Sequence, residues 1–155
     1  RPDARAEVQW ADWMIKRYRN DLWLHRREPY AACPDQPWTS GMDLELGKDS
    51  GLIRLAGGRT AIPAGWRVGS RRPGDRIRPL EGGPSRKLKL LFQAASIPPW
   101  LRLGIPVLYW DDEAVALGDW VLGHRLRCWL ADNGLELQWK PADPVLERVR
   151  RDCQG

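Results

Sequence analysis

Residues 67–102 combine side chains and backbone of the kind that bind phosphate groups. The segment carries nine Arg or Lys and only two acidic residues, a net charge of +7, whereas the whole chain of 155 residues carries +5. At its centre lies Gly82-Gly83-Pro84-Ser85, a glycine-rich loop predicted to open a helix, where free backbone N–H groups and the helix dipole attract anions. This concentration of charge predicts a phosphate-rich partner such as RNA.

The candidate binding residues form two sets. One set lies on predicted strands and a turn, and the other on the predicted helix and the turn that follows it. Two sets suit a nucleic-acid backbone better than a single phosphate. Trp100 either stacks on a base or packs in the core, and core packing is favoured. The candidates are Arg71, Arg72, Arg76, Arg78, Gly82, Gly83, Arg86, Lys87, Lys89, Trp100 and Arg102.

Elsewhere the sequence predicts neither a catalytic residue nor a metal site. His25 and His124 are far apart, and we interpret both as lacking a ligand at helical spacing. Cys33 precedes a proline in a loop and Cys128 has apolar neighbours, so neither context indicates a nucleophile. The acidic residues 111–113 are interpreted as a solvated hairpin turn rather than as general acids or bases.

Composition narrows the class of protein. A length of 155 residues suits one domain or a domain with a small appendage. Three cysteines without a CxxC spacing argue against a disulfide framework and predict a reducing, cytoplasmic location. No apolar run approaches the length of a membrane span. Ten tryptophans are spread along the chain, and we interpret them mainly as core residues. The chain begins with Arg1 and not with Met, which suggests a piece of a longer protein.

The elements that must position these residues are mostly strands. Asn20-Asp21 and Asp111-Asp112 are predicted hairpin turns, and Trp10 with Trp13 is predicted to mark a short helical segment. The best helical pattern covers residues 85–95, with Ser85 as its N-cap. A second helix is predicted over residues 144–151. Predicted extended segments are residues 14–19, 22–26, 42–46, 52–56, 66–70, 76–80, 107–110, 113–117, 120–122 and 135–139.

The order of these elements predicts an α+β fold. We expect a mainly antiparallel, β-sandwich-like domain with one central amphipathic helix and short flanking helices, because strands and helices do not alternate as in a parallel sheet. Three ranges are expected. Residues 1–60 form an N-terminal hairpin with connecting strands, residues 61–123 form the basic core, and residues 124–155 form an extension packed on the same domain.

A series of motifs runs through residues 8–123 in a distinctive order. A basic hairpin at residues 16–24 comes first, followed by the Pro73-Gly74-Asp75 turn, the basic strand 76–80, Gly82-Gly83, Lys87-Leu88-Lys89, the segment 97–102 (IPPWLR), the apolar strand 105–110 and a hairpin ending at residues 115–118. This order resembles the C-terminal region of bacterial tRNA(Ile)-lysidine synthetases. Residues 124–155 lie outside the resemblance.

The resemblance implies a tRNA-recognition region. Its partner would be isoleucine tRNA, held at the acceptor stem, and its fold would be a module also found in the phenylalanyl-tRNA synthetase β-subunit. The parent would be an ATP-dependent C–N ligase whose N-terminal domain, with an SGGxDS loop absent here, uses ATP and Mg to join lysine to the wobble cytidine. This chain would then be non-catalytic and cofactor-free, with tRNA and that N-terminal domain as partners and no membrane. The oligomeric state stays open, a dimer included.

Two other classes of function fit the residues alone. Exposed tryptophans suit a protein–protein interaction module. A small enzyme acting on a phosphorylated substrate would also require positive charge. Salt-dependent binding of tRNA would distinguish a tRNA-recognition region from a protein-interaction module. A pocket lined by carboxylates would favour the small enzyme.

Overall fold

The computed structural model describes residues 7–26 and 28–155. These residues belong to two compact units, Arg1–Tyr30 and Ala31–Gly155, which we call the N-terminal unit and the C-terminal unit. The division falls inside the first of the three ranges expected from the sequence, and those ranges stay predictions.

The N-terminal unit is a three-stranded antiparallel sheet in the order β1-β2-β3. Its strands are β1 (Glu7–Trp10), β2 (Trp13–Tyr18) and β3 (Asp21–Arg26). The predicted β2–β3 hairpin is confirmed, with its turn one residue earlier than expected. The predicted helical segment at Trp10 and Trp13 is wrong, because Ala11, at φ 51°, turns the chain so that these two residues pair across β1 and β2.

The C-terminal unit contains three antiparallel sheets. A five-stranded sheet has the order β12-β11-β10-β7-β4, a three-stranded sheet the order β13-β6-β5, and β8 pairs with β9. The strands are β4 (Gln36–Pro37), β5 (Leu44–Gly47), β6 (Gly51–Ala56), β7 (Trp66–Gly69), β8 (Arg76–Ile77), β9 (Arg86–Lys87), β10 (Val107–Trp110), β11 (Glu113–Leu117), β12 (Val121–Leu122) and β13 (Glu136–Lys140). The predicted α+β class with antiparallel sheets is confirmed.

Three α-helices and one 3₁₀ helix complete the C-terminal unit. They are α1 (Leu88–Ala94), α2 (His124–Asn133), α3 (Pro144–Gln154) and the 3₁₀ helix Pro99–Gly104. The helix at the C-terminus is confirmed, and the Asp143 carboxylate caps it by accepting from the N–H groups of Val145 and Leu146. Helix α2 was not predicted, although Leu126 and Leu130 supply a buried i, i+4 pair. Within residues 7–26 and 28–155 no helix is long and apolar enough to cross a membrane.

The central helix begins later than the sequence predicted. Arg86 and Lys87 are extended and pair with β8, and α1 starts at Leu88 with Lys87 as its N-cap residue. The N–H of Leu88 donates to the Asp75 carbonyl at 3.0 Å. The predicted start at Ser85 is therefore wrong, because hydrogen bonds to another part of the chain hold the residues after Ser85 in a strand.

Tryptophans build much of the core of the C-terminal unit. Trp66 is 2% exposed, and its ring centroid lies 5.6 Å from that of Trp38 and 4.9 Å from that of Trp129. Trp110 completes the cluster at 5.7 Å from Trp66. The cluster joins β7, β10, α2 and the residue that follows β4, so the interpretation of tryptophan as core is correct for this unit.

Candidate nucleic-acid interface

The basic segment folds around the β8–β9 hairpin. Arg76 lies directly opposite Lys87, and Ile77 lies opposite Arg86 and is fully buried. Arg76 Nε donates to Ser85 Oγ at 2.7 Å, and Arg78 donates to the Gly83 carbonyl. The buried isoleucine anchors the hairpin to the core, and the two arginines brace the loop that connects its strands.

Five cations near this hairpin are exposed and lack an acidic partner. Each lies within two residues of the paired strands β8 and β9, and none forms an ion pair with any residue that the structure describes. Arg76 and Lys87 even face each other across the strands, an arrangement that disfavours folding. We call these residues the cationic cluster: Arg76, Arg78, Arg86, Lys87 and Lys89.

The glycine-rich loop contributes its backbone shape to the candidate interface, and it does not lie at the start of a helix. Gly82 has φ +64°, a left-handed conformation that favours glycine, and a Cβ built there would meet no atom within 4 Å. The Gly83 N–H is occupied by the Leu80 carbonyl at 3.1 Å. Since the loop leads into β9 and not into a helix, the predicted anion site at a helix start is wrong. The space beside Gly82 is open.

Arg71 and Arg72 are held by contacts within the protein. The Arg71 guanidinium lies 5.9 Å from the centroid of the Phe92 ring. Arg72 stacks on Tyr109 at 4.1 Å and forms ion pairs of 3.6 Å with Asp35 and 3.8 Å with Asp112. Both arginines are half-buried, so they support the base of the hairpin and offer less of their charge to a ligand than the cationic cluster does.

The structure removes one candidate from the surface. Arg102 is 5% exposed, its Nε donates to the Ile97 carbonyl at 3.0 Å, and its guanidinium lies over the Phe92 ring. Arg102 is a candidate binding residue from the sequence, but its charge does not reach the surface, because the 3₁₀ helix turns this side chain into the core. Trp100, in the same helix, is half-buried.

Sequence reasoning missed the group that fixes the hairpin to the core. Asp75 Oδ2 accepts hydrogen bonds from Tyr109 Oη at 2.5 Å and from the Arg72 N–H at 2.7 Å, while its carbonyl accepts from Leu88. Burial, followed by the hydrogen bond and charge of Asp75, raises the pKa of Tyr109 well above its usual value. Tyr109 therefore stays a neutral donor, and Asp75 joins β10, the turn before β8 and the start of α1.

One histidine has a neighbour on its helix that the sequence analysis overlooked. His124 and Cys128 lie one turn apart on α2, with Sγ 3.5 Å from Nε2, so the interpretation that His124 lacks a potential ligand at helical spacing is wrong. The same Nε2 lies 3.6 Å from Glu81. In the described part of the chain, no group of three or more His, Cys, Asp or Glu side chains could hold a metal ion.

We expect the cysteines to differ in reactivity. Cys33 is 4% exposed, and burial raises the pKa of its thiol to about 11, whereas Cys128 is exposed. Only the thiolate attacks alkylating reagents, so at about pH 8 iodoacetamide should modify Cys128 at least about 100-fold faster than Cys33. Peptide mass mapping over time measures both rates, and denaturant should bring them together. Equal rates in the folded protein would contradict this placement of Cys33.

Comparison with known proteins agrees with the resemblance. Residues 66–139 match the family profile of the TilS substrate C-terminal domain. The chain is 36% identical over 146 residues to a tRNA(Ile)-lysidine synthase of Xanthomonas axonopodis pv. citri, covering 90% of this chain and 32% of that protein. It is 33% identical over 144 residues to one of Xylella fastidiosa strain Temecula1, covering 90% and 33%.

A relative from another genus shows the same partial coverage. The tRNA(Ile)-lysidine synthase of Aromatoleum aromaticum is 36% identical over 131 residues, which is 79% of this chain and 30% of that protein. The chain thus spans about a third of the length of these relatives. The profile match extends through α2 to β13, beyond the motifs that carry the resemblance in the sequence. The chain belongs to the tRNA(Ile)-lysidine synthase family and corresponds to its C-terminal TilS region.

Proposed function

We propose that this chain is the tRNA-recognition domain of a tRNA(Ile)-lysidine synthase and grips the acceptor stem of isoleucine tRNA. The observation that carries the proposal is the cationic cluster, five exposed positive charges without an acidic partner among the described residues. Charges that repel one another and find no carboxylate in residues 7–26 and 28–155 are explained by a polyanionic ligand.

The geometry suits contact with a phosphate backbone. Arg76 and Lys87 lie on one face of the paired strands, and Arg86 lies on the other face, opposite Ile77. Arg78 and Arg86 lie beside the loop that joins the strands, and Lys89 lies in α1. The open space at Gly82 lets a phosphate backbone approach the loop closely. Such contacts position a nucleic acid without reading its bases, and double-stranded RNA is recognised mainly through its shape and backbone.

The proposal assigns the chemistry to another part of the parent enzyme. There, an N-terminal domain with ATP and Mg²⁺ would join lysine to the wobble cytidine, in the cytoplasm. This chain would supply binding energy and orientation, holding the acceptor end so that the distant anticodon loop reaches that site. We assign no catalytic group to the described residues.

The salt dependence of binding tests the proposal. If the five cations contact phosphates, a plot of log affinity against log salt should have a slope of about −3 to −5. Filter binding with isoleucine tRNA at several salt concentrations measures it. An acceptor-stem minihelix should retain most of the affinity, and an anticodon stem-loop of equal length should not. Absence of measurable binding would refute tRNA recognition, and a slope near zero would refute phosphate contacts by the cationic cluster. Preference for the anticodon stem-loop would refute the acceptor-stem assignment.

A further inference from the structure

The sheet of the N-terminal unit exposes an apolar face. Residues that pair across neighbouring strands point to the same side of the sheet. Val8 pairs with Ile15, and Ile15 pairs with Leu24, so this side includes residues of all three strands. All six large apolar side chains on this side are exposed. We call them the apolar face: Val8 (61% exposed), Trp10 (79%), Trp13 (46%), Ile15 (39%), Leu22 (72%) and Leu24 (55%).

The exposed side of this sheet departs from the usual pattern. The opposite side carries Met14 and His25, which are 8% and 4% exposed, and the half-buried Lys16, Tyr18 and Trp23. An exposed sheet side normally carries the polar residues of a strand and the buried side its apolar ones. A contiguous set of large apolar side chains in water marks an interaction site. The exposed apolar side chains that alternate along β2 and β3 therefore indicate a surface that a partner covers.

The charged strand residues on the side of the apolar face have one sign. Arg17 lies opposite Leu22 and Arg26 lies opposite Trp13, so both arginines belong to this side of the sheet, and both are exposed. Among residues 7–26, the acidic strand residues Glu7 and Asp21 lie on the other side, since they pair with Lys16 and Tyr18. The face is thus an apolar centre with a positive rim.

We propose that the apolar face docks a polypeptide segment that has its own apolar side edged by Asp or Glu. Burial of six large side chains supplies the affinity, and Arg17 and Arg26 select acidic flanks. A second copy of this chain is disfavoured because it would set arginine against arginine. RNA is disfavoured because four of the six side chains are aliphatic and cannot stack on bases. This docking is separate from the binding of tRNA by the cationic cluster.

A synthetic amphipathic helix tests the proposal on the intact chain. The probe has about 18 residues, with Leu at i, i+3, i+4 and i+7 and Glu on both flanks, and its partner peptide carries Lys in place of Glu. Calorimetry and tryptophan fluorescence should show about tenfold tighter binding of the Glu peptide. Arg17→Glu with Arg26→Glu should reverse the preference, whereas the same charge change at exposed Arg59 and Arg127 should not.

A second variant distinguishes docking of a polypeptide from occupation of the apolar face by a second copy of this chain or by RNA. Ile15→Ser with Leu24→Ser should abolish binding of both peptides and leave the affinity for isoleucine tRNA unchanged. The proposal is overturned if neither peptide binds, or if reversing the two arginine charges leaves the preference intact. It is also overturned if the serine variant dissolves a dimer detected by sedimentation, which would assign the face to a second copy, or if it weakens tRNA binding, which would assign the face to RNA.

Discussion

Replacing Arg86, Lys87 and Lys89 together by Ala is expected to weaken binding of isoleucine tRNA by about 100-fold at about 0.1 M salt. Each phosphate contact on a duplex contributes about 0.9 to the slope of log affinity against log salt, so losing three contacts should flatten the slope by about two to three units. The three side chains are exposed and have no ion pair with a described residue, so their removal subtracts binding charge and little else.

Stability should be nearly unchanged in this triple variant. Exposed charges contribute little to folding, and removal of Lys87 relieves its repulsion with Arg76 across the strands. A matched control replaces Arg59, Arg148 and Arg151 by Ala, which removes the same charge from exposed positions outside residues 67–102. If the control lowers affinity and flattens the slope as much as the triple variant, the binding reflects net charge and the cationic cluster is not the site.

Asp119→Ala is expected to destabilise the C-terminal unit by about 3 to 5 kcal/mol. The Asp119 side chain is 1% exposed, and its Oδ2 accepts from Arg150 at 2.9 and 3.0 Å and from the Trp139 N–H at 3.0 Å. These bonds connect α3 and β13 to the turn between β11 and β12. Removing the carboxylate leaves the largely buried Arg150 guanidinium with its longer ion pair, 3.6 Å to Glu147, and takes away the acceptor of the Trp139 N–H. The melting temperature should therefore fall by about 10 °C or more.

The matched control for this prediction is Asp152→Ala. Asp152 also pairs with an arginine, Arg148, at 3.9 Å on α3, but both side chains are more than two-thirds exposed. Water screens such a pair, and its loss should cost less than about 0.5 kcal/mol. Thermal melts of both variants measure the difference. Equal melting temperatures would show that burial of Asp119 does not make its ion pair more important than a surface pair.

Local patterns in the sequence were sufficient to predict several secondary-structure elements. Asp111-Asp112 between two apolar runs predicted the β10–β11 hairpin, and both residues have the positive φ angles that a tight turn requires. The last helix was predicted over residues 144–151, and the structure has it at Pro144–Gln154. The focused charge of residues 67–102 identified the segment that carries the cationic cluster. These features depend on neighbours within a few residues, which is why the sequence reveals them.

Other features were decided by contacts between residues far apart in the chain. Pairing with β8 keeps Arg86 and Lys87 extended, and so moves the start of α1 to Leu88. Packing over Phe92 buries Arg102, although its charge alone favours the surface. Strand register decides that Trp10 is exposed while Met14 is buried. The sequence by itself determined which residues carry charge and where the chain turns, whereas the tertiary structure decided which charges reach solvent, because burial depends on partners that no local pattern specifies.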